Sequence, residues 1–275
     1  MISISLVTPS FNKAPYLEAS LRSVLDQAYT NLEYGVIDAG STDGSVEILE
    51  RYKSQLSYLV IEPDQGMYDA VGKGFARSQG EVMGYLGADD LHMPWTLSVV
   101  GEIFEGCPEV QWITTAFPIT ADDKGRIASA RFFPAPTAQS FWQGRYLPGF
   151  SWFAAGWLQQ ESTFWRRSLW ERAGGLDTSL KLAGDFDLWC RFMKLSPPET
   201  IATPLAAFRR HGNQISSNQD QAYKAEALEA FKRHGGRPAG YFASRLYEIA
   251  HRLRLVKYGS TMSYHFQKGV WRSSV

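Results

Sequence analysis

The chain has 275 residues, 44% of them hydrophobic and 20% charged, which suits one large domain or a domain with a tail. It carries 28 basic and 28 acidic residues, a formal charge of zero, so bulk electrostatics do not point to nucleic acid. Cys107 and Cys190 have no metal-ligand spacing and make no disulfide framework, which fits a reducing cytosol. The start, Met1-Ile2-Ser3-Ile4-Ser5, lacks the basic region of a signal peptide. The most apolar stretch, Phe150 to Leu158, is too short to span a bilayer. A cytoplasmic location is expected.

Ile2, Ile4 and Leu6 alternate with serines and predict a first strand, broken into a loop by Pro9, Asn12 and Pro15. Leu17, Leu21, Val24 and Leu25 have helical spacing. Leu32 to Ile37 is a second strand, ending at Asp38-Ala39-Gly40-Ser41-Thr42-Asp43-Gly44, with a helix through Val46 to Tyr52. Leu56 to Ile61 is a third strand, Met67 to Ser78 a helix, and Val82 to Leu86 a fourth strand that ends at Asp89-Asp90. Pro94 opens a helix from Trp95 to Phe104. Strand and helix alternate about every thirty residues, which argues for a mostly parallel sheet covered on both faces. Ligands of such sheets bind outside the carboxyl ends of the strands, where the turns after Thr8, Asp38, Pro63 and Gly87 all fall.

The second half is less regular. Val110 to Ile119 reads as a strand, Ala121 to Gly125 as a hairpin turn, and Phe141 to Trp157 as an aromatic-rich loop. Arg167 to Ala173 and Asp185 to Lys194 read as helices, Ile201 to Phe208 as a strand, and the chain beyond Asn218 as helical to about Tyr258.

Two adjacent carboxylates at a strand end are costly unless a cation neutralises them, and a divalent cation shared with a diphosphate is the natural one. The pair alone is also compatible with a simple turn. Its context is more specific. The blocks Thr8-Pro9-Ser10-Phe11-Asn12, Asp38 to Ser45, Glu62-Pro63-Asp64-Gln65-Gly66-Met67-Tyr68-Asp69-Ala70 and Asp89-Asp90 occur in an order and spacing that closely resembles family-2 glycosyltransferases, from about Ile2 to Ser217.

That resemblance implies a GT-A, Rossmann-like α/β fold and inverting transfer from a nucleotide-activated sugar, with a UDP-sugar as the expected donor. It divides the chain into a catalytic domain, residues 1–218 (nucleotide half 1–92, acceptor half 93–218), and a helical basic extension, 219–275. It implies that Thr8, Pro9, Ser10 and Asn12 line the nucleotide pocket, that Asp38 and Asp64 contact base or ribose, and that Asp89 contacts ribose or donor sugar. Asp90 would hold Mn2+ or Mg2+ on the diphosphate, with His211 as a second group reaching the metal or the diphosphate. An acid usual in such folds two places before Asp90 is replaced by Ala88.

Lys73 and Arg77 follow on one helix. Lys73 is placed toward the donor, whereas Arg77 reads as a solvated face. Asp38 and Asp43 have an alternative role as turn caps. Gln160 and Glu161 match a block that binds donor or acceptor hydroxyls, while Phe164 and Trp165 beside them read as core. Trp142, Trp152 and Trp157 suit sugar stacking or core packing equally.

In Gly184-Asp185-Phe186-Asp187-Leu188-Trp189-Cys190-Arg191, Gly184 stands where the family has an acid, and Asp185 matches the carboxylate that serves as base. A sugar hydroxyl is a poor nucleophile and needs one. Asp187 has an alternative role as partner of Arg191, its i+4 neighbour.

From Lys232 onward there are nine basic residues and one acid, Glu248. Phe242, Leu246, Ile249, Leu253 and Val256 recur at helical spacing among Arg245, Arg252, Arg254 and Lys257. Two readings stay open: a basic amphipathic helix lying on anionic lipid at the inner face of the membrane, or a face packed on the domain or in a homodimer, the commoner use of such helices. The expected acceptor is a saccharide or lipid-linked saccharide of polysaccharide or glycolipid biosynthesis. The rivals are a non-catalytic sugar-nucleotide-binding protein, which retention of Asp90 and Asp185 argues against, and a nucleotidyltransferase, for which Thr8 to Asn12 lacks the Gly-rich basic loop.

Overall fold

The computed structural model describes all residues except 151–153, 213–218, 254, 257 and 275. Trp152, Arg254, Lys257 and the 213–218 boundary of the expected catalytic domain lie outside the described residues. The first half runs β1 (Ile4–Ser10), α1 (Ala14–Leu25), β2 (Leu32–Asp38), α2 (Ser45–Tyr52), β3 (Tyr58–Ile61), α3 (Met67–Phe75), β4 (Val82–Tyr85), β5 (Leu91–His92) and α4 (Thr96–Gly106). The second runs β6 (Trp112–Thr115), β7 (Ile119–Ala121), β8 (Ile127–Ala130), α5 (Ala138–Trp142), β9 (Phe164–Arg166), α6 (Arg167–Ala173), α7 (Gly184–Leu195), β10 (Glu199–Ile201) and β11 (Ala206–Arg209). The chain closes with α8 (Asp220–Arg233), α9 (Tyr241–Arg252), β12 (Thr261–His265) and β13 (Val270–Ser274).

A nine-stranded sheet in the order β13-β12-β10-β6-β9-β4-β1-β2-β3 forms the centre, and β5-β11-β7-β8 form a smaller sheet. β1 is parallel to β2 and β4, β2 to β3, and β10 to both β6 and β12, while β9 runs antiparallel between β4 and β6. Apolar layers cover both faces. Leu17, Leu21, Val100 and Phe104 pack on one face, and Val71, Phe75, Trp165, Trp189 and Phe192 on the other.

Several expectations are corrected. Pro9 does not break β1, which continues to Ser10. Pairing with β4 ends at Val7, so Pro9 lies where β1 has only β2 beside it, and a missing N–H is tolerated there. The expected strands 110–119 and 201–208 are each two strands that serve different sheets. The expected aromatic loop begins inside a helix, α5, which is started by a reciprocal Thr137–Ser140 capping box and runs to Trp142. Trp142 stacks on Phe231 at 5.7 Å, a core contact, and Trp157 packs edge-on against Phe133.

The tail is not wholly helical, and it is not an appendage. On α8, Phe231 sits among Phe141, Trp142 and Phe186. β12 joins the central sheet beside β10, burying Met262, and Trp271 of β13 donates to Glu102 of α4. Tyr247 of α9 is buried, but Phe242, Leu246, Ile249 and Leu253 are exposed, so the apolar stripe does not pack on the domain.

Candidate active site

The strand ends of β1, β2 and β4 converge with the start of α7 and the Gln160–Ser162 turn. Beyond β4 the chain turns tightly. Gly87 is required there, since a Cβ would lie 2.8 Å from the Asp90 carboxylate that folds back over it. Asp90 is buried and its Oδ1 accepts the Arg209 backbone N–H at 2.9 Å. Burial, with the negative charges of Glu161 and Asp89 beside it, raises its pKa well above the ordinary carboxyl value. Asp89 behaves oppositely. Burial alone would raise it, but Lys13, whose Nζ donates to Oδ2 at 2.5 Å, and His211, whose Nε2 lies 2.9 Å from the same oxygen, hold it below the ordinary value. The His211 ring stacks on Tyr16 at 4.2 Å, and the Arg209 guanidinium lies 5.1 Å from the same tyrosine ring.

Glu161 links this acid pair to the opposite wall. It is buried in the Gln160–Ser162 turn, and its Oε1 has no hydrogen-bond partner among the described residues. Burial, reinforced by the charges of Asp185 and Asp89, raises it to about 7. Its neighbour Gln160 donates to the Tyr85 carbonyl at 2.6 Å, which fixes the turn on the end of β4.

Asp185 occupies the first turn of α7. Burial raises it to about 6, against the Phe186 N–H at 2.8 Å and the Tyr68 hydroxyl at 3.3 Å, which favour the charged form. Tyr68 also donates to the Leu182 carbonyl at 2.7 Å. A Cβ on Gly184 would lie 2.7 Å from the Tyr68 ring, which explains why no acid stands at 184: Tyr68 fills the space. Glu226 of α8 accepts the N–H groups of Lys181, Leu182 and Ala183, holding the lead-in to α7. Asp187, by contrast, is saturated. One oxygen takes Arg191 Nε at 2.9 Å and the other lies 2.8 Å from His234 Nε2.

The structure thus brings Asp89, Asp90, Glu161, Asp185 and His211 into one acid-lined cluster. The other expected residues fall at its edge or outside it. Thr8 is buried against the Tyr34 hydroxyl at 2.9 Å, and Ser10 is buried at the strand end beside Asp38. Asn12, at φ 50°, accepts the Thr42 N–H, tying the two turns together. Both oxygens of Asp38 are used within its own turn, by Gly40, Ser41 N–H and the Ser41 hydroxyl. Asp64 caps Gly66 in the same manner. Lys73 does not reach the cluster: it pairs with Glu62 at 3.3 Å and Asp69 at 3.2 Å and bonds the Pro63 carbonyl, so it braces the 62–66 loop.

Sequence reasoning missed Lys13, Arg209, Tyr68 and Glu226. Lys13 carried a readable signal, as the first cation after the β1 turn. The other three gave none, because their partners lie 43 to 119 residues away along the chain and two of the three contacts depend on backbone N–H groups.

Fold and site define the class: a GT-A-type glycosyltransferase. Residues 5–156, more than half of the chain, match the family described as Glycosyl transferase family 2. The chain belongs to glycosyl transferase family 2. An uncharacterized glycosyltransferase of Nostoc sp. is 33% identical over 107 residues, which are 38% of this chain and 33% of that protein, so the match spans about a third of the relative's length. Staphylococcus aureus TarS 1–349, solved in complex with UDP-GlcNAc, superposes with TM-score 0.66 at 16% identity over 93% of this chain and 74% of that one. The mannosyltransferase PcManGT of Pyrobaculum calidifontis, solved with GDP-Man and Mn2+, gives 0.56 at 17% identity over 93% and 81%. At these identities the structures establish likeness of fold alone.

Proposed function

We propose that this chain transfers a sugar, with inversion, from a nucleoside-diphosphate sugar to a hydroxyl of a saccharide or lipid-linked acceptor, in polysaccharide or glycolipid biosynthesis at the cytoplasmic side of a membrane. The observation that carries this reading is the separation of roles within one acid cluster. Asp89 is held charged by Lys13 and His211, while Asp185, on the other wall, is raised to about 6 and can both accept and release a proton near neutral pH. UDP is the favoured nucleotide, supported by the TarS complex, with the β1 and β2 turns (Thr8, Pro9, Ser10, Asn12, Asp38) and Asp64 lining its pocket.

The residues fit a divalent cation. Asp90 and Glu161 are buried carboxyl groups facing one another's charge, and Glu161 Oε1 has no partner among the described residues. Among these residues no three acid, histidine or cysteine side chains form a complete cage. Mn2+ or Mg2+ bound through one or two carboxylates and diphosphate oxygens needs no such cage. Asp90 and Glu161 would hold the ion, and His211 would act on it through Asp89. When bound, it offsets the charge of the diphosphate.

Asp185 takes the proton of the acceptor hydroxyl as that oxygen bonds to the anomeric carbon. The bond from that carbon to the diphosphate oxygen breaks on the opposite face, and the electron pair leaves with the nucleoside diphosphate. Tyr68 holds the Asp185 carboxylate toward the crevice, and Lys13 brings positive charge to the diphosphate side.

The test is incubation with a panel of UDP- and GDP-sugars plus Mn2+, with or without saccharide acceptors, reading nucleotide release and product mass. Release of nucleoside diphosphate with a glycosylated product supports the proposal. Binding without release would indicate a sugar-nucleotide-binding protein, and pyrophosphate from a nucleoside triphosphate a nucleotidyltransferase.

A further inference from the structure

Helix α9 has two faces of opposite character. On the inner face, Ser244 and Tyr247 are buried, and the buried Arg145 lies 4.6 Å over the Tyr247 ring while pairing with Glu248 at 3.0 Å. On the outer face, Phe242, Leu246, Ile249 and Leu253 follow at spacings that place them on one stripe, exposed by 81, 67, 43 and 64%. A contiguous stripe of large apolar side chains, on a helix anchored by its opposite face, is the mark of a surface that is covered in use.

The surrounding charge says by what. From Lys232 to the C-terminus there are nine basic residues, of which Arg233 is paired with Asp177 and Glu229, and a single acid, Glu248, which Arg145 engages on the inner side. Phe266, 89% exposed on the β12–β13 turn, has Lys268 two residues on and repeats the pairing of apolar and basic groups. A second copy of the chain is a poor cover, because a two-fold contact would set each basic tail against its own copy. A negatively charged bilayer supplies both an apolar layer and the opposite charge. The helix has 12 residues, about 18 Å at 1.5 Å per residue, well short of the ~30 Å hydrocarbon core. That length suits a helix lying in an interface and not one crossing it, and among the described residues no helix is long and apolar enough to cross a membrane.

We propose that the outer face of α9 docks the protein on an anionic phospholipid bilayer, with Phe242, Leu246, Ile249 and Leu253 entering the headgroup boundary and the basic tail meeting lipid phosphates. The full chain is sedimented with vesicles of phosphatidylcholine alone and of phosphatidylcholine with phosphatidylglycerol. It should pellet with the second and not the first, and be released as salt rises from ~0.05 to ~0.5 M. The double variant Phe242→Ser/Leu246→Ser alters only exposed positions, so its melting curve should match the wild type while its vesicle affinity falls about tenfold or more. Wild-type protein remaining in solution with both vesicle types overturns the proposal, as does equal pelleting of wild type and variant. A dimer in light scattering that the double variant dissociates, without vesicle binding, overturns it in favour of a self-interface. Binding is read without donor or acceptor, so its loss and the loss of transfer are separate observations.

Discussion

Asp185 and Asp187 sit two residues apart on α7, and their partners separate them. Arg191 and His234 occupy both oxygens of Asp187, whereas Asp185 keeps capacity on its carboxylate. Asp185→Asn should lower turnover by about two to four orders of magnitude with donor affinity unchanged, measured by steady-state kinetics and calorimetry. If Asp187 were the base, turnover would persist. The wild-type rate should rise with pH through about 6, where Asp185 loses its proton. Stability moves the other way. A carboxyl raised from 3.8 to about 6 binds its proton more tightly in the folded state, so its contribution is full below the unfolded value and is lost as pH rises through the folded one. Asp185→Asn should therefore be more stable than wild type by about 1–3 kcal/mol at pH ~8, with the difference vanishing below pH ~4, in paired thermal melts. Asp90→Ala, for its part, should abolish the Mn2+-dependent part of UDP binding in calorimetry while the fold persists; unchanged metal-linked binding would remove Asp90 from the metal site.

At the scale of elements, Asp185, the proposed base, is positioned by two helices distant in sequence. α3 supplies Tyr68, and α8 supplies Glu226, whose carboxylate takes three successive N–H groups ahead of α7. Glu226→Ala leaves those donors without their partner, at a cost of about 1–3 kcal/mol. It should depress turnover more than donor affinity; an effect on donor affinity alone would contradict the positioning role. Gly184 belongs to the same device. Gly184→Glu would restore the acid usual in the family at that place, yet it is expected to reduce turnover and to cost about 1–3 kcal/mol by displacing the Tyr68 ring. A gain in turnover would show that Tyr68 yields without loss.

For the molecule as a whole, the last two strands are part of the central sheet and its apolar core. β12 extends the central sheet, Met262 is buried in its apolar layer, and β13 lies on α4. A chain ending at Tyr258 should lose roughly 5 °C or more in unfolding midpoint and tend to aggregate through the bared edge of β10, as measured by calorimetry and light scattering. Removing α9 by truncation would also remove these strands and confound membrane binding with folding, so surface substitution on α9 is the cleaner probe.

The succession of β1 to β4, with helices between, was legible because each helix buries one stripe at its own period, while the inner strands, buried on both faces, read as short apolar runs bounded by turn residues. The acid-bearing turns were legible for the same reason: a parallel sheet puts the carboxyl ends of its strands on one side, so Asp38 and Asp89-Asp90 had to gather there. The identity of Asp185 as a candidate base came from its match to a family motif, not from periodicity. What tertiary structure decided is whatever depends on partners distant along the chain. Lys73 was expected to face the donor and is tied to Glu62 and Asp69. Asp89 and Asp90, adjacent and chemically identical, are driven to opposite protonation tendencies, one by Lys13 and His211, the other by burial beside Glu161. β10, of three residues, carries too few for a periodic signal, and β12 and β13 form because the sheet edge already present offers unpaired backbone groups to complete.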